Sequence, residues 1–420
     1  MAESGLFPDP RVRVFPPEEV TSIDHEAEVD PREVGLQRGD IEAIWGSVVR
    51  HYQTGLHPSL ALCIRRRGRV VLRRSIGHLR GNLPEGQGPA GPLTPLRHDS
   101  LFNLYSGTKA ITAMVIHLLD QRRLIHLDDP VADYIPAFAR HGKEDITIRQ
   151  LLTHRAGIPA LPGSQFSLEM LHRPGEIIDL LCDARPMSVP GRRLAYHALT
   201  GGFLLGEIVE RATGRDLRRY LAEEIAAPWG LGTFNYGVPA GQLDQVAQNA
   251  LTGPQFAPAS WMFARSIGVD LPTAVRYAND PLFVTATVPA GNLITTSDGA
   301  CRFFEGLLRG GTLDGVQVFE PRTVRRALAE QSFLEMDSSL GLPVRYSMGF
   351  MLGGDYFSVY GARTARAFGH VGFSNVIVWA DPDRDLSVAY LNAGKPFFTL
   401  GQLAWLEVPR TIAHRIAPGA

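Results

Sequence analysis

Strand-forming runs cluster at the two ends of this 420-residue chain, and helical patterns fill the stretch between them. Near the start, Leu60 to Ile64 and Arg69 to Ile76 are β-rich runs joined by Arg67-Gly68, a spacing that predicts a hairpin. Near the end, Arg345 to Leu352, Ala365 to Gly369, Asn375 to Ala380 and Leu386 to Leu391 read as four more strands. Asp381-Pro382-Asp383-Arg384-Asp385 supplies the turn between the last two. Ile41, Ile44, Trp45, Val48 and Val49 form an amphipathic helical stripe before the first strands, and Leu403 to Ile416 carries another after the last. The expected fold is therefore α/β, a sandwich in which an antiparallel sheet is flanked by N- and C-terminal helices and interrupted by a helical insert. We place an arm at 1–36, a sheet domain at 37–105 with 295–420, and the insert at 106–294, with the active site at the domain interface.

Helical patterns run from Ser106 to Leu124, Ile146 to Arg155, Asp179 to Cys182, Leu199 to Thr213, Leu217 to Ala226, Gly299 to Leu308 and Arg322 to Glu330. Glycines at 157 and 214 suit left-handed caps. Residues 235 to 290 look irregular, with prolines at 239, 254, 258, 272, 281 and 289. Long loops of this kind commonly line a pocket, and Phe256, Trp261, Met262, Phe263 and Phe283 suit either an acyl-binding wall or plain packing. Gly81 to Pro95 is expected to be a loop. Within it, Gly86-Gln87-Gly88-Pro89-Ala90-Gly91 formally matches a dinucleotide fingerprint, but the prolines forbid the helix that such a site opens into.

Net charge is −1 and the residue mix is 45% hydrophobic and 20% charged, as in ordinary soluble proteins. The arginines at 65, 66, 67, 69, 73 and 74 alternate with apolar residues in the predicted hairpin, which suggests a solvated strand face and no nucleic-acid partner. Three scattered cysteines fit a reducing compartment. With no apolar run at the N-terminus or of spanning length elsewhere, the expectation is a cytoplasmic protein with no membrane partner. Oligomeric state is open.

Lysine stands only at 109, 143 and 395 among 42 Lys and Arg residues, so this chain writes positive charge almost entirely as arginine. Arginine cannot give up its proton, whereas a desolvated lysine can. Lys109 lies in Ser106-Gly107-Thr108-Lys109 at the start of a helix. One helical turn puts the amine over the serine hydroxyl, a nucleophile beside its base. Competing schemes are absent: there is no G-x-S-x-G elbow, and no H-E-x-x-H or paired-cysteine metal motif. Neither a cofactor nor a metal is expected.

Three motifs in order resemble the serine β-lactamase and penicillin-binding-protein superfamily, in its class C-like branch with the family VIII carboxylesterases. They are Ser106-Gly107-Thr108-Lys109, Tyr196-His197-Ala198 and His370-Val371-Gly372, the last placed just before a strand. Ile146 to Gly157 is similar to a segment that recurs in this branch. The resemblance covers roughly residues 40 to 415. It implies that Ser106 attacks a carbonyl, that Lys109 and Tyr196 share the proton transfers, and that the backbone amides of Ser106 and Phe373 form the oxyanion hole. A cationic Lys109 would favour a phenolate at Tyr196. His154 is expected to fix a helix end by a hydrogen bond. In isolation Tyr196 and His370 also read as packed core residues.

Two departures from the family pattern matter. Ala198 stands where an asparagine commonly recognises an amide, and His370 where many β-lactamases carry lysine. Both point to a small-molecule ester of short to medium acyl chain. The alternatives are an acyltransferase, an amidase or a weak β-lactamase using the same acyl-enzyme, or a non-catalytic binding protein of the same fold.

Overall fold

The computed structural model describes residues 8–88, 91–160, 166–254, 264, 268–356, 358–397 and 404–419. Its centre is an antiparallel sheet whose strands come from both chain ends. We label them β1 (Thr21–Ile23), β2 (Ser59–Arg66), β3 (Arg69–Arg80), β4 (Ser332–Asp337), β5 (Leu342–Tyr346), β6 (Met351–Leu352), β7 (Phe368–Val371), β8 (Ile377–Asp381) and β9 (Leu386–Asn392). The spatial order is β1-β3-β2-β9-β8-β7-β6-β5-β4, with a short tenth strand, Thr94–Pro95, paired to β3. The first and last parts of the chain join where β2 pairs β9, from Arg66 opposite Leu386 to Leu60 opposite Asn392.

Alternation along these strands sorts side chains into two layers. Leu60, Leu62, Ile64, Trp379, Val388 and Tyr390 face one way and pack with Ile44, Val48, Val408 and Ile412 from helices Arg38–Gln53 and Glu407–Arg415. Ala61, Cys63, Val378, Ala389 and Leu391 face the other way and join the main core with Phe303 and Phe304 of helix Ser297–Leu308. Thr108–Gln121 is buried on nearly every side in that same core, as its run of apolar residues requires. Among the described residues, no helix is long and apolar enough to cross a membrane.

Several expectations need correction. The β2–β3 hairpin turns through Arg67 (φ 50°) and Gly68 (φ 80°), as read, but of its arginines only Arg67 and Arg69 are exposed. Arg65, Arg66 and Arg74 are buried. Arg65 Nε donates to Glu305 at 2.5 Å and Nη1 to Asp298 at 3.2 Å, while Arg74 pairs with Glu28 and Glu42. These acids are distant in sequence, so a local reading cannot see them. The arm is not simply extended either, because β1 pairs β3 and covers a sheet edge.

The stretch read as one strand from Arg345 to Leu352 is β5 and β6 with a reversal between them, and β4 was not foreseen. Helix Ile148–Leu152 is shorter than predicted. The supposedly irregular segment holds helices Leu271–Asn279 and Pro281–Thr285, each with an aspartate side chain capping its start and proline in its first turn. Asp270-Leu271-Pro272 and Asp280-Pro281 were the available signals. Phe283 packs against the cluster of Leu101, Val238, Val246 and Ile294; Phe256, Trp261, Met262 and Phe263 lie outside the described residues.

Candidate active site

From Leu101 to Leu119 every residue is buried except Ser106. The backbone explains this exposure in part. A short strand, Phe102–Asn103, is followed through Leu104 by Tyr105, which is left-handed (φ 48°), and a 3-10 turn over Tyr105–Gly107 leads into helix Thr108–Gln121. A positive φ is costly for a bulky residue and persists only when the surroundings hold it. Here the Tyr105 N–H donates to Asn103 Oδ1 at 2.8 Å and its hydroxyl to Asn249 Oδ1 at 2.6 Å.

Lys109 follows one turn later, with Nζ 3.1 Å from Ser106 Oγ. Nζ also donates to the carbonyls of Ala198 at 2.7 Å and Ala290 at 3.0 Å. Burial pushes this amine down from 10.5 to about 7. A neutral amine has two N–H donors and one lone pair. The two carbonyls take the donors, which leaves the lone pair for the serine hydroxyl. Close packing sets the second carbonyl in place, since a Cβ at Gly202 would stand 2.7 Å from the Ala290 Cβ.

Tyr196 lies in the segment before helix Thr200–Thr213, and its ring centroid is 4.8 Å from Lys109 Nζ. Burial raises its phenol well above the usual 10, the hydrogen bond with Ser106 opposes this, and the Asp337 charge adds to it. These surroundings bind the Tyr196 proton more tightly than usual, against the phenolate that a cationic Lys109 would favour, and loosen that of Lys109. Asp337, buried at the end of β4, was missed from the sequence. Its Oδ1 accepts from the N–H groups of Tyr196, Ser339 and Leu340 at 3.1, 2.8 and 3.0 Å, tying the second motif to the β4–β5 hairpin.

His154 closes the end of helix Ile148–Leu152, as expected, its N–H donating to the Leu151 carbonyl at 3.2 Å and that of Arg155 to Gln150 at 2.8 Å, and it has a second task. In left-handed backbone (φ 57°), its carbonyl accepts from Ala195 N–H at 3.0 Å and its Nδ1 from His197 N–H at 3.3 Å. It therefore fixes the Tyr196 segment as well as the helix end.

The third motif precedes strand β8, as expected, and His370 is itself inside β7, which runs two residues past the predicted Gly369. His370 is buried, and that burial, with the Lys109 charge, lowers it to about 3, so it is a neutral imidazole. Gly372 follows. A Cβ there would sit 2.3 Å from the Leu104 carbonyl, so only glycine lets the third motif lie against the segment that leads into Ser106. Phe373 then packs edge-to-face on Tyr105, with centroids 5.5 Å apart. The structure thus brings together Ser106, Lys109, Tyr196, His370, Gly372 and Phe373. Among the described residues, no group of three or more His, Cys, Asp or Glu side chains is placed to hold a metal.

With this fold and site in view, the chain's class is plain. It matches the family model described as Beta-lactamase over residues 47–407 and belongs to that family. The Esterase/beta-lactamase LipL of Mycobacterium tuberculosis is 29% identical over 314 residues, covering 71% of this chain and 70% of that relative. A family VIII carboxylesterase crystal structure superposes with a TM-score of 0.75 at 27% identity, covering 89% of this chain and 98% of that one. A penicillin-binding-protein homolog from Caulobacter crescentus gives 0.73 at 27% identity, covering 91% and 99%.

Proposed function

We propose that the protein is a serine hydrolase that cleaves carboxylic esters of short to medium acyl chain through an acyl-Ser106 intermediate. The observation that carries this reading is the Lys109 amine, whose two N–H groups are directed at the carbonyls of Ala198 and Ala290 and whose remaining position faces Ser106 Oγ. As Ser106 Oγ bonds to the ester carbon, its proton passes to Lys109 Nζ, and the carbonyl oxygen becomes an anion held by the amides of Ser106 and Phe373. The C–O bond to the alcohol then breaks, and the proton reaches the leaving alkoxide through Lys109 and the Tyr196 phenol. Water repeats the sequence on the acyl-serine. The names of the LipL and family VIII relatives support an ester as substrate. So does Ala198, which offers no side-chain amide to an amide substrate and whose carbonyl is already given to Lys109.

The test is rapid-quench mass spectrometry with p-nitrophenyl butyrate, alone and with a competing alcohol, alongside nitrocefin. A butyryl adduct on Ser106 and release of butyrate are expected. Butyryl transfer to the alcohol in excess of butyrate release would make the protein an acyltransferase, faster nitrocefin opening a β-lactamase, and the absence of any adduct would leave only a binding role.

The pH dependence follows from Lys109. The base must be neutral, and its conjugate acid ionises at about 7. Below that pH the neutral fraction, and with it kcat/KM, should fall about tenfold per unit; above it the profile should level. A profile flat down to pH 5 would exclude Lys109 as the base.

A further inference from the structure

The chain's other two lysines differ sharply. Lys143 Nζ donates to the carbonyls of Cys182 and Ala184 at 2.8 and 2.5 Å, closing the C-terminal end of helix Pro174–Asp183. Lys395 is wholly buried just past β9 and sits beneath the candidate oxyanion hole. Its Nζ is 4.5 Å from the ring centroid of Tyr105 and 5.7 Å from that of Phe373. Those residues adjoin or carry the two amides assigned to the oxyanion: Tyr105 immediately precedes Ser106, and Phe373 is the second donor itself. The same Nζ donates to the carbonyl and Oδ1 of Asn392 at 3.1 and 3.2 Å. Asn392 Nδ2 in turn donates to the Ser374 carbonyl at 3.0 Å.

This arrangement holds a backbone that would otherwise relax. Tyr105, Ser374 and Asn375 are all left-handed, with φ of 48°, 51° and 73°. Two separate pieces of positive-φ backbone therefore meet over one amine, which contacts a ring from each and reaches the second piece through Asn392. Burying an amine among apolar groups is unfavourable, and burial pushes Lys395 well below its ordinary value. A mere packing residue at this place would be better served by methionine.

We infer that Lys395 is a positioning residue for the oxyanion hole, holding the Ser106 and Phe373 amides in mutual register through the Tyr105 and Phe373 rings and the Asn392–Ser374 strut. The inference rests on the hydrolase reading. Lys395→Met keeps the stem and removes the hydrogen bonds. It is expected to lower kcat by about 10- to 100-fold with KM changed less than about threefold, as a misplaced but present donor should. The affinity for an alkyl boronic acid, whose tetrahedral adduct on Ser106 puts an oxygen in the hole, should weaken by a similar factor. Asn392→Ala should give part of the same loss, and the double variant should fall short of the product of the two single losses, because both act through one strut.

Lys143→Met serves as the control for loss of a buried amine and should leave kcat unchanged. The proposal is overturned if a folded Lys395→Met or, should that variant not fold, Asn392→Ala keeps kcat and boronate affinity within about twofold of wild type. A wild-type protein that neither turns over esters nor binds the boronate would instead overturn the hydrolase reading, and this inference with it.

Discussion

Ser106→Ala is expected to abolish turnover of p-nitrophenyl butyrate, a fall of roughly 10⁴- to 10⁶-fold, because no other group then forms the covalent intermediate. The side chain is the one accessible point in a buried run, and its hydroxyl contacts Lys109 and Tyr196. Its loss removes one oxygen and leaves the core untouched. Circular dichroism and melting temperature should therefore match wild type, which separates lost chemistry from lost fold. Equal initial rates for variant and wild type would end the acyl-serine mechanism.

Lys109→Arg should be nearly as damaging, with kcat/KM down by about 10²- to 10⁴-fold, although charge is retained. Guanidinium offers five donors and no lone pair, while the site supplies the carbonyls of Ala198 and Ala290 and a hydroxyl that must give up a proton. The measurement is a steady-state comparison with Tyr196→Phe. Here Tyr196 is held protonated, so its removal should cost less than the arginine substitution. If Lys109→Arg stays active and Tyr196→Phe is dead, the base is a Tyr196 phenolate, the state that a neighbouring cation favours.

Sequence reasoning reached those parts of the site that reside in side-chain identity and local spacing. The turn between Ser106 and Lys109 is a property of any helix, and the scarcity of lysine marked the proposed base. Tyr196 and His370 came from motif order. What stayed hidden is of another kind. The acceptors that hold Lys109 are main-chain carbonyls of Ala198 and Ala290, and a carbonyl leaves no trace in residue type. Asp337 acts on Tyr196 from a hairpin whose first strand has a bulge at Leu334 (φ 48°) and exposed Phe333 and Met336, so the alternation that announces a strand is broken there. Lys395 was noted as rare, yet only the fold brings it under Tyr105 and Phe373. The arginine hairpin was misread for the same non-local reason, because Glu28 and Glu305 lie outside any local window.

The pairing of β2 with β9 also bears on how the protein is made. On the ribosome, the β2–β3 hairpin emerges long before the strand that must cover its inner edge. Until then β2 presents unpaired amides and carbonyls in a run of buried-type residues, the sort of edge that recruits other chains. A nascent chain stalled anywhere before residue 386 lacks that partner strand, and it also lacks Lys395 and Asn392, the proposed brace of the oxyanion loop. The strand that completes the sheet thus brings with it the proposed brace of the oxyanion loop.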